Sequence, residues 1–216
     1  MHVRTAAAAS LVASLVLFAN SVHAAELLDQ HQDSGGEFSA FYQPRGCPSA
    51  GVKAAAQTFT TGLTGALVRV DLVLSRTSWT SDGKAIHLEL HRETPEGPLV
   101  AVSDAVPASV IPFEPEYRWT TFVFSAPPLV TAGEVDAIVL PADLASYTEF
   151  DPTFLWDGTF ADAYAAGVTW DGYCSSEVFG GWQSYVFGSD RTFRTWVSPS
   201  TTVVRPSWGT LKSLYR

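Results

Sequence analysis

The sequence predicts an all-β fold, a sandwich of two antiparallel sheets, and three observations carry that prediction. Apolar residues recur at every second position in two segments, Val68, Val70, Leu72, Leu74 and then Ile86, Leu88, Leu90, with Arg69, Asp71, His87 and Glu89 between them. That is the period of a strand with one face in a core and one in water. No stretch from Glu26 to Pro199 keeps the i, i+3, i+4, i+7 spacing of an amphipathic helix beyond about two turns. The 13 prolines and 16 glycines fall mostly between the apolar runs, where sandwich connections need them.

In chain order, residues 1–24 read as an export signal. His2 and Arg4 precede an apolar run from Thr5 to Ala19, and Val22-His23-Ala24 carries the small-residue pattern of a cleavage site. The run is shorter than the about 20 residues that span a bilayer. The mature chain is expected to have no transmembrane insertion and to be secreted or held at the cell surface. Residues 25–197 form the expected sandwich domain, about 170 residues around one core. Its strands are expected at Ala55–Thr60, Ala66–Leu74, Lys84–His91, Leu99–Val106, Arg118–Phe124, Val135–Leu140, Thr153–Trp156, Val168–Trp170 and Arg191–Val197. Ala66–Leu74 and Lys84–His91, on either side of the turn signal Ser81-Asp82-Gly83, read as neighbouring antiparallel strands. Val68, Val70, Leu72, Leu74, Ile86, Leu88, Leu90, Phe122 and Phe124 are expected in the core. Residues 198–204, rich in Ser, Thr and Pro, read as a linker, and 205–216 as a separable basic, aromatic tail that acts in export or attachment, with a tail that folds back to cover a sandwich edge as the alternative. In that tail Trp208, Leu211, Leu214 and Tyr215 share one face of a short helix.

Charge narrows the function classes. The 22 acidic side chains outnumber the 13 basic ones, for a net charge of -9, and removing residues 1–24 takes away one base and no acid. An acidic body argues against nucleic acid and anionic lipid as partners. The two cysteines, Cys47 and Cys174, both lie in the exported part, where an oxidising compartment favours a disulfide. Closing so long a loop removes roughly 5 kcal/mol of unfolded-chain entropy as an upper figure; two buried thiols are the alternative. Asparagine is absent after Asn20 and lysine is scarce beside arginine, a bias that suggests a GC-rich bacterial source. It leaves the mature chain without an Asn-X-Ser/Thr glycosylation site.

Four segments carry a family likeness: Ala56-Gln57-Thr58-Phe59-Thr60-Thr61-Gly62-Leu63-Thr64-Gly65, Val70-Asp71-Leu72-Val73-Leu74-Ser75-Arg76, Val130-Thr131-Ala132-Gly133 and Phe193-Arg194-Thr195-Trp196-Val197. With Trp156-Asp157-Gly158, the stretch Asp162 to Gly167 and Gly181-Trp182 before the last strand, they resemble exported bacterial β-sandwich modules of the choice-of-anchor kind. The resemblance covers roughly Leu28 to Val197, with Ala166 where a glycine is more usual. It implies a jelly-roll-like shape close to that of carbohydrate-binding modules, and no catalytic residues.

Several residues have the chemistry of a site, and each also has a plainer role. His87, Glu89 and His91 suggest a metal by residue type, but two histidines four apart on a strand stand about 13 Å apart, too far for one ion; a solvated strand face is expected. Asp162 and Asp190 are the preferred ligands for a structural calcium, in a region rich in Asp-Gly turns, with turn formation and solvation as the alternative. No other cofactor is expected. Trp79, Tyr147 and Tyr173 sit in polar turns and are expected to be exposed and to bind ligand, whereas Trp156, Trp170 and Trp182 are expected to pack in the core. Glu114 and Glu116 lie in a Pro-rich turn rather than across a sugar bond, and no nucleophile elbow, phosphate loop or His-Glu-X-X-His is present.

The chain thus reads as an exported, non-catalytic module that binds carbohydrate or envelope material through exposed aromatics. The alternative is a structural or adhesive surface protein without a small ligand, whose tail directs export or attachment.

Overall fold

A computed structural model describes residues 25–42, 51–78, 80–141, 153–175, 178–184 and 188–199. Sixteen strands follow in order: β1 (Leu27–Gln32), β2 (Phe38–Tyr42), β3 (Gly51–Thr60), β4 (Gly65–Arg76), β5 (Ala85–Ile86), β6 (Glu89–Arg92), β7 (Leu99–Val102) and β8 (Val106–Pro107). After a 3-10 turn at Ala108–Val110 come β9 (Arg118–Val123), β10 (Leu129–Val130), β11 (Val135–Leu140), β12 (Phe154–Thr159), β13 (Thr169–Ser175), β14 (Val178–Ser184), β15 (Asp190–Arg191) and β16 (Phe193–Pro199). No helix among the described residues is long and apolar enough to cross a membrane.

Two large antiparallel sheets make the sandwich. The first has eight strands, in the order β1-β16-β4-β12-β15, with β9 and β10 also pairing β4 and β2 pairing β12. The second has six, in the order β14-β13-β3-β11-β6-β7. The chain crosses between the sheets repeatedly: β3 lies in the second, β4 and β9 in the first, β11 in the second, β12 in the first, β13 and β14 in the second and β16 in the first. This is the jelly-roll-like wrapping of one layer round the other. It also separates the two segments expected to be neighbours, because β4 and β6 lie in opposite sheets. The expected strand over Lys84–His91 is divided between β5, which pairs β8 in a two-stranded ribbon, and β6. Strand β16 continues to Pro199, two residues into the expected linker.

Between the sheets, Val70, Leu72, Leu74, Ile86, Leu88, Leu90, Phe122 and Phe124 are buried together with Phe59, Ile138, Leu140, Phe154, Trp156 and Phe193. Val68 is the exception to the expected core. Opposite β16 the register steps from Trp196–Arg69 to Val197–Leu67, so Val68 is the extra residue of a bulge. A bulge shifts the side-chain alternation by one, and Leu67, fully buried, takes the core position while Val68 is half-buried.

One end of the interior is polar. Arg191 of β15 is fully buried, donates to Asp171 of β13 across the two layers, and has its guanidinium carbon 5.2 Å from the centre of the Trp156 ring. Burial pushes the Asp171 carboxyl up, and the Arg191 guanidinium pulls it back in part. Gln57 of β3 accepts from the Arg191 backbone N–H at 3.0 Å and from Thr169 Oγ1 at 2.8 Å, and its Nε2 donates to Asp190 Oδ1 at 3.1 Å.

The bulge can be tested by unfolding in urea. Leu67→Ala is expected to cost about 2–5 kcal/mol and Val68→Ala about 1 kcal/mol or less; the reverse order would return Val68 to the core.

Candidate binding site

The outer faces of the two sheets differ. On the first sheet, Trp196 lies under the Arg69 guanidinium at 4.0 Å and Trp119 under that of Arg194 at 4.1 Å. Between them the Asp71 carboxylate is buried and accepts from Arg69 Nη1, Thr121 Oγ1 and Trp196 Nε1 at 2.7–2.8 Å for the closest contacts. This face is closed by its own side chains.

On the second sheet the corresponding face holds a pocket of about 170 Å³, lined by Ala54, Glu89, His91, Pro95, Val139, Pro141, Phe179 and Trp182. Strand alternation builds it. On β3 and β11 the larger apolar residues Phe59, Ile138 and Leu140 point into the core, leaving small ones, Ala54, Ala56, Ala137 and Val139, on the outer face. Trp170 and Trp182 pack over these residues as a second, smaller apolar cluster, not in the main core as expected; Trp156 does lie in that core. Gly172 of β13 lets the Phe179 ring close down on the sheet: a Cβ there would stand 2.9 Å from Ala54 Cβ and from two atoms of that ring. Phe179 and Trp182 meet edge to face, 5.9 Å between centres, and wall the pocket from β14.

Glu89 and His91 form the opposite, polar wall from β6. Glu89 Oε2 lies 2.9 Å from His91 Nε2, and Glu89 Oε1 lies 3.6 Å from His87 Nε2. The imidazoles of His87 and His91 hold the Glu89 carboxyl down to about 2, and Glu89 holds His91 above its ordinary value. The other ring nitrogen of His91, Nδ1, is 2.9 Å from the Gly97 carbonyl oxygen. A carbonyl and a carboxylate only accept, so both bonds form when both ring nitrogens carry protons. His91 thereby ties the pocket wall to the β6–β7 turn, which brings Pro95 to the pocket rim. Gly97 permits that turn, since a Cβ would fall 1.8 Å from the Arg92 carbonyl oxygen.

The expected site residues fare unevenly. Trp79, Tyr147 and Cys47 lie outside the described residues. Tyr173 is on strand β13 beside a bulge and half-buried, not exposed in a turn as expected, and it does not line the pocket. Asp190 is buried, and its oxygens accept N–H donors from Gln57 at 3.1 Å and from the Tyr164 backbone at 2.7 Å. Burial raises its carboxyl, the hydrogen bonds opposing. Donors turned toward a carboxylate fill the positions a cation would take, so Asp190 anchors the segment before β13. Asp162 is exposed near it, and no group of three or more potential metal ligands comes together among the described residues. Cys174 is buried opposite Gly51 of β3, four residues after Cys47. Glu114 and Glu116 are exposed on their turn.

What sequence reasoning missed is the pairing of Glu89 and His91 with Trp182 and Phe179. The His-X-Glu-X-His run has the residue types of a metal site, but same-face residues on one strand also bond one another, as Glu89 and His91 do here. The signal for the aromatic wall was the run of small residues on alternate positions of β3, which leaves room above a sheet. No family model and no curated protein sequence matches the chain.

The contribution of the acid and imidazole to stability has a defined pH window. Glu89, held low, stabilises the fold above its ordinary 4.5 and loses this as the pH falls toward about 2. His91, held high, stabilises below 6.5 and loses this as the pH rises through its folded value. The stability difference between wild type and Glu89→Gln is therefore expected to be largest between pH 4.5 and 6.5 and to shrink on both sides. Urea unfolding across the pH range reads it, and a difference that does not vary with pH would show the pair to be uncoupled from folding.

Proposed function

We propose that the protein is an exported, non-catalytic β-sandwich module that binds a saccharide in the pocket on the outer face of the six-stranded sheet. The observation that carries this reading is an apolar aromatic wall, Phe179 and Trp182, facing an ionised acceptor, Glu89, across a floor of small residues. A sugar ring has the matching chemistry, with C–H groups for an aromatic surface and hydroxyl donors for a carboxylate. The volume is below the about 300–1,000 Å³ of drug-sized sites, which suits a single ring of a longer polymer. A carboxylate in the pocket and a net charge of -9 favour neutral or amino sugars over acidic ones.

The same residues support a binding role over hydrolysis. Glycoside cleavage uses two carboxyls, and Glu89 is the one acid lining the pocket among the described residues. A carboxyl held at about 2 is a poor proton donor near neutrality. The likeness to choice-of-anchor and carbohydrate-binding modules, and export through residues 1–24, belong to this proposal.

A glycan array on the mature protein, with calcium and with chelator, identifies the ligand and any cation dependence. Trp182→Ala is expected to weaken the binding found there about tenfold or more, the loss of a stacking contact of about 1.4 kcal/mol, and to lower the melting temperature because Trp182 also packs on Ala56, Ala137 and Val139, so binding is read at a temperature where the variant is folded. Binding that survives both Trp182→Ala and Glu89→Gln would remove the pocket from the proposal, and no binding to any glycan would favour the structural, adhesive reading.

A Cys47–Cys174 disulfide is part of the same reading. The register of β13 on β3 sets Cys174 opposite Gly51, and four residues span about 13 Å, which keeps Cys47 within bonding reach. Non-reducing mass spectrometry of secreted protein is expected to recover the two as one linked peptide pair; two free thiols would refute the bond.

A further inference from the structure

We propose that the β6–β7 turn, residues 93–98, is a lid on the pocket, hinged at Glu93 and held shut by His91. Pro95 of this turn is buried and lines the pocket. The tip of the turn also meets β14 above the outer face, since a Cβ at Gly181 would lie 3.7 Å from Glu96 Oε1. At the base of the turn the Arg92 N–H bonds the Pro98 carbonyl at 3.0 Å and the Glu93 N–H bonds the Val135 carbonyl at 2.9 Å. Beyond that base, the one hydrogen bond tying the turn to the sheet among the described residues joins His91 Nδ1 and the Gly97 carbonyl.

The hinge is strained. Glu93 has a φ of 63°, and the Thr94 N–H bonds the Arg92 carbonyl at 2.7 Å, which closes a three-residue turn around it. Left-handed backbone is disfavoured for a residue with a Cβ, and a three-residue turn of this hand is the rarer, strained kind. Such strain persists only where the surroundings hold it. The hinge therefore works against closure, and the contact with His91 works against the hinge.

His91 stands between two acceptors, with Nδ1 2.9 Å from the Gly97 oxygen and Nε2 2.9 Å from Glu89 Oε2. A neutral ring has one proton for the two, and the carboxylate is the stronger acceptor. Losing a proton therefore leaves Glu89 bonded and turns a bare Nδ1 toward the Gly97 oxygen, which releases the turn. Around the ring, Glu89 shares its strand with His87 beyond, Glu93 and Glu96 are exposed on the turn, and Arg92 is turned to Glu134 and Asp136. Strands β7 and β11 set uncharged Leu99 and Ala137 opposite His91, and β3 and β14 bring only apolar side chains to the pocket. Glu89 is the group whose charge holds the imidazole above its ordinary value. The consequence for binding rests on the saccharide reading above: the lid closes over a ring in the pocket while His91 is charged and frees it once His91 is neutral.

Two NMR observations on the ligand-free protein test the lid. As the pH rises through the 15N titration of the His91 ring, the Thr94 and Gly97 amides are expected to lose about tenfold or more of their protection from exchange, corrected for its intrinsic pH dependence, while β3 keeps its own. In protein carrying 5-fluorotryptophan, the 19F signal of Trp182, assigned by its loss in Trp182→Phe, is expected to shift with the same midpoint. His91→Phe, which has no donor, is expected to leave the turn unprotected at every pH. Protection that holds steady through the His91 titration, a Trp182 signal that ignores it, or a pH step that survives in His91→Phe would overturn the proposal, and the first two need no His91 variant. Because no sugar is present, that failure would leave the saccharide reading standing, and a glycan array without a hit would leave the lid standing.

Discussion

Arg191 places a full positive charge between two sheets in a region without access to water, and the chain answers it from both layers. An unpaired buried charge would cost several kcal/mol, so Asp171 must reach it from β13 while Gln57 holds its backbone from β3. These contacts fix β15 against the centre of the opposite sheet, and Asp190, bonded to Gln57 and the Tyr164 backbone, secures the segment leading into β13. Because Asp171 and Gln57 point inward, their strand neighbours Gly172 and Ala56 point outward. The polar end of the interior therefore sets the position of the strands whose outer surfaces form the pocket floor.

The two outer faces make opposite use of aromatic side chains. On the eight-stranded sheet each tryptophan is covered by a guanidinium, and the acid between them is surrounded by donors, so ring and charge are satisfied within the protein. On the six-stranded sheet Phe179 and Trp182 contact each other and small residues, while the charged partner stands across a gap. Similar residue types yield a closed surface in one place and an open cavity in the other. The difference lies in what occupies the central strands: Arg69, Asp71 and Val73 on β4, alanines on β3.

The sandwich was legible because period-two alternation survives on β4, β6 and β9, where one face is buried and the other polar. The order of strands was not legible. Alternation gives a strand its buried face but not its partner, and β4 and β6, close in sequence, lie in opposite sheets. Val68 was misplaced because a bulge leaves composition unchanged while moving the alternation by one. β1, β2, β10 and β14 were not anticipated; they are short, polar or rich in glycine, and pairing rather than propensity makes them strands, while the expected strand over Arg191–Val197 is divided between β15 and β16. The site was only half legible. Glu89 and His91 were visible as a pair on one face, but their meeting with Trp182 depends on five strands, β6, β11, β3, β13 and β14, lying side by side in an order that no local pattern contains.

The depth of the pocket is set by carbon atoms that are missing from its floor. At Gly172 even one added carbon would stand 2.9 Å from Ala54 Cβ and from the Phe179 ring and push that wall outward, whereas a larger residue at Ala54 would rise from the floor itself, with the backbone pairing beneath unchanged. Related sandwiches can therefore acquire, reshape or erase such a cavity by one-residue steps while the scaffold stays constant. In a lineage of these modules, size at these two positions would report ligand preference more directly than the overall similarity of the chains.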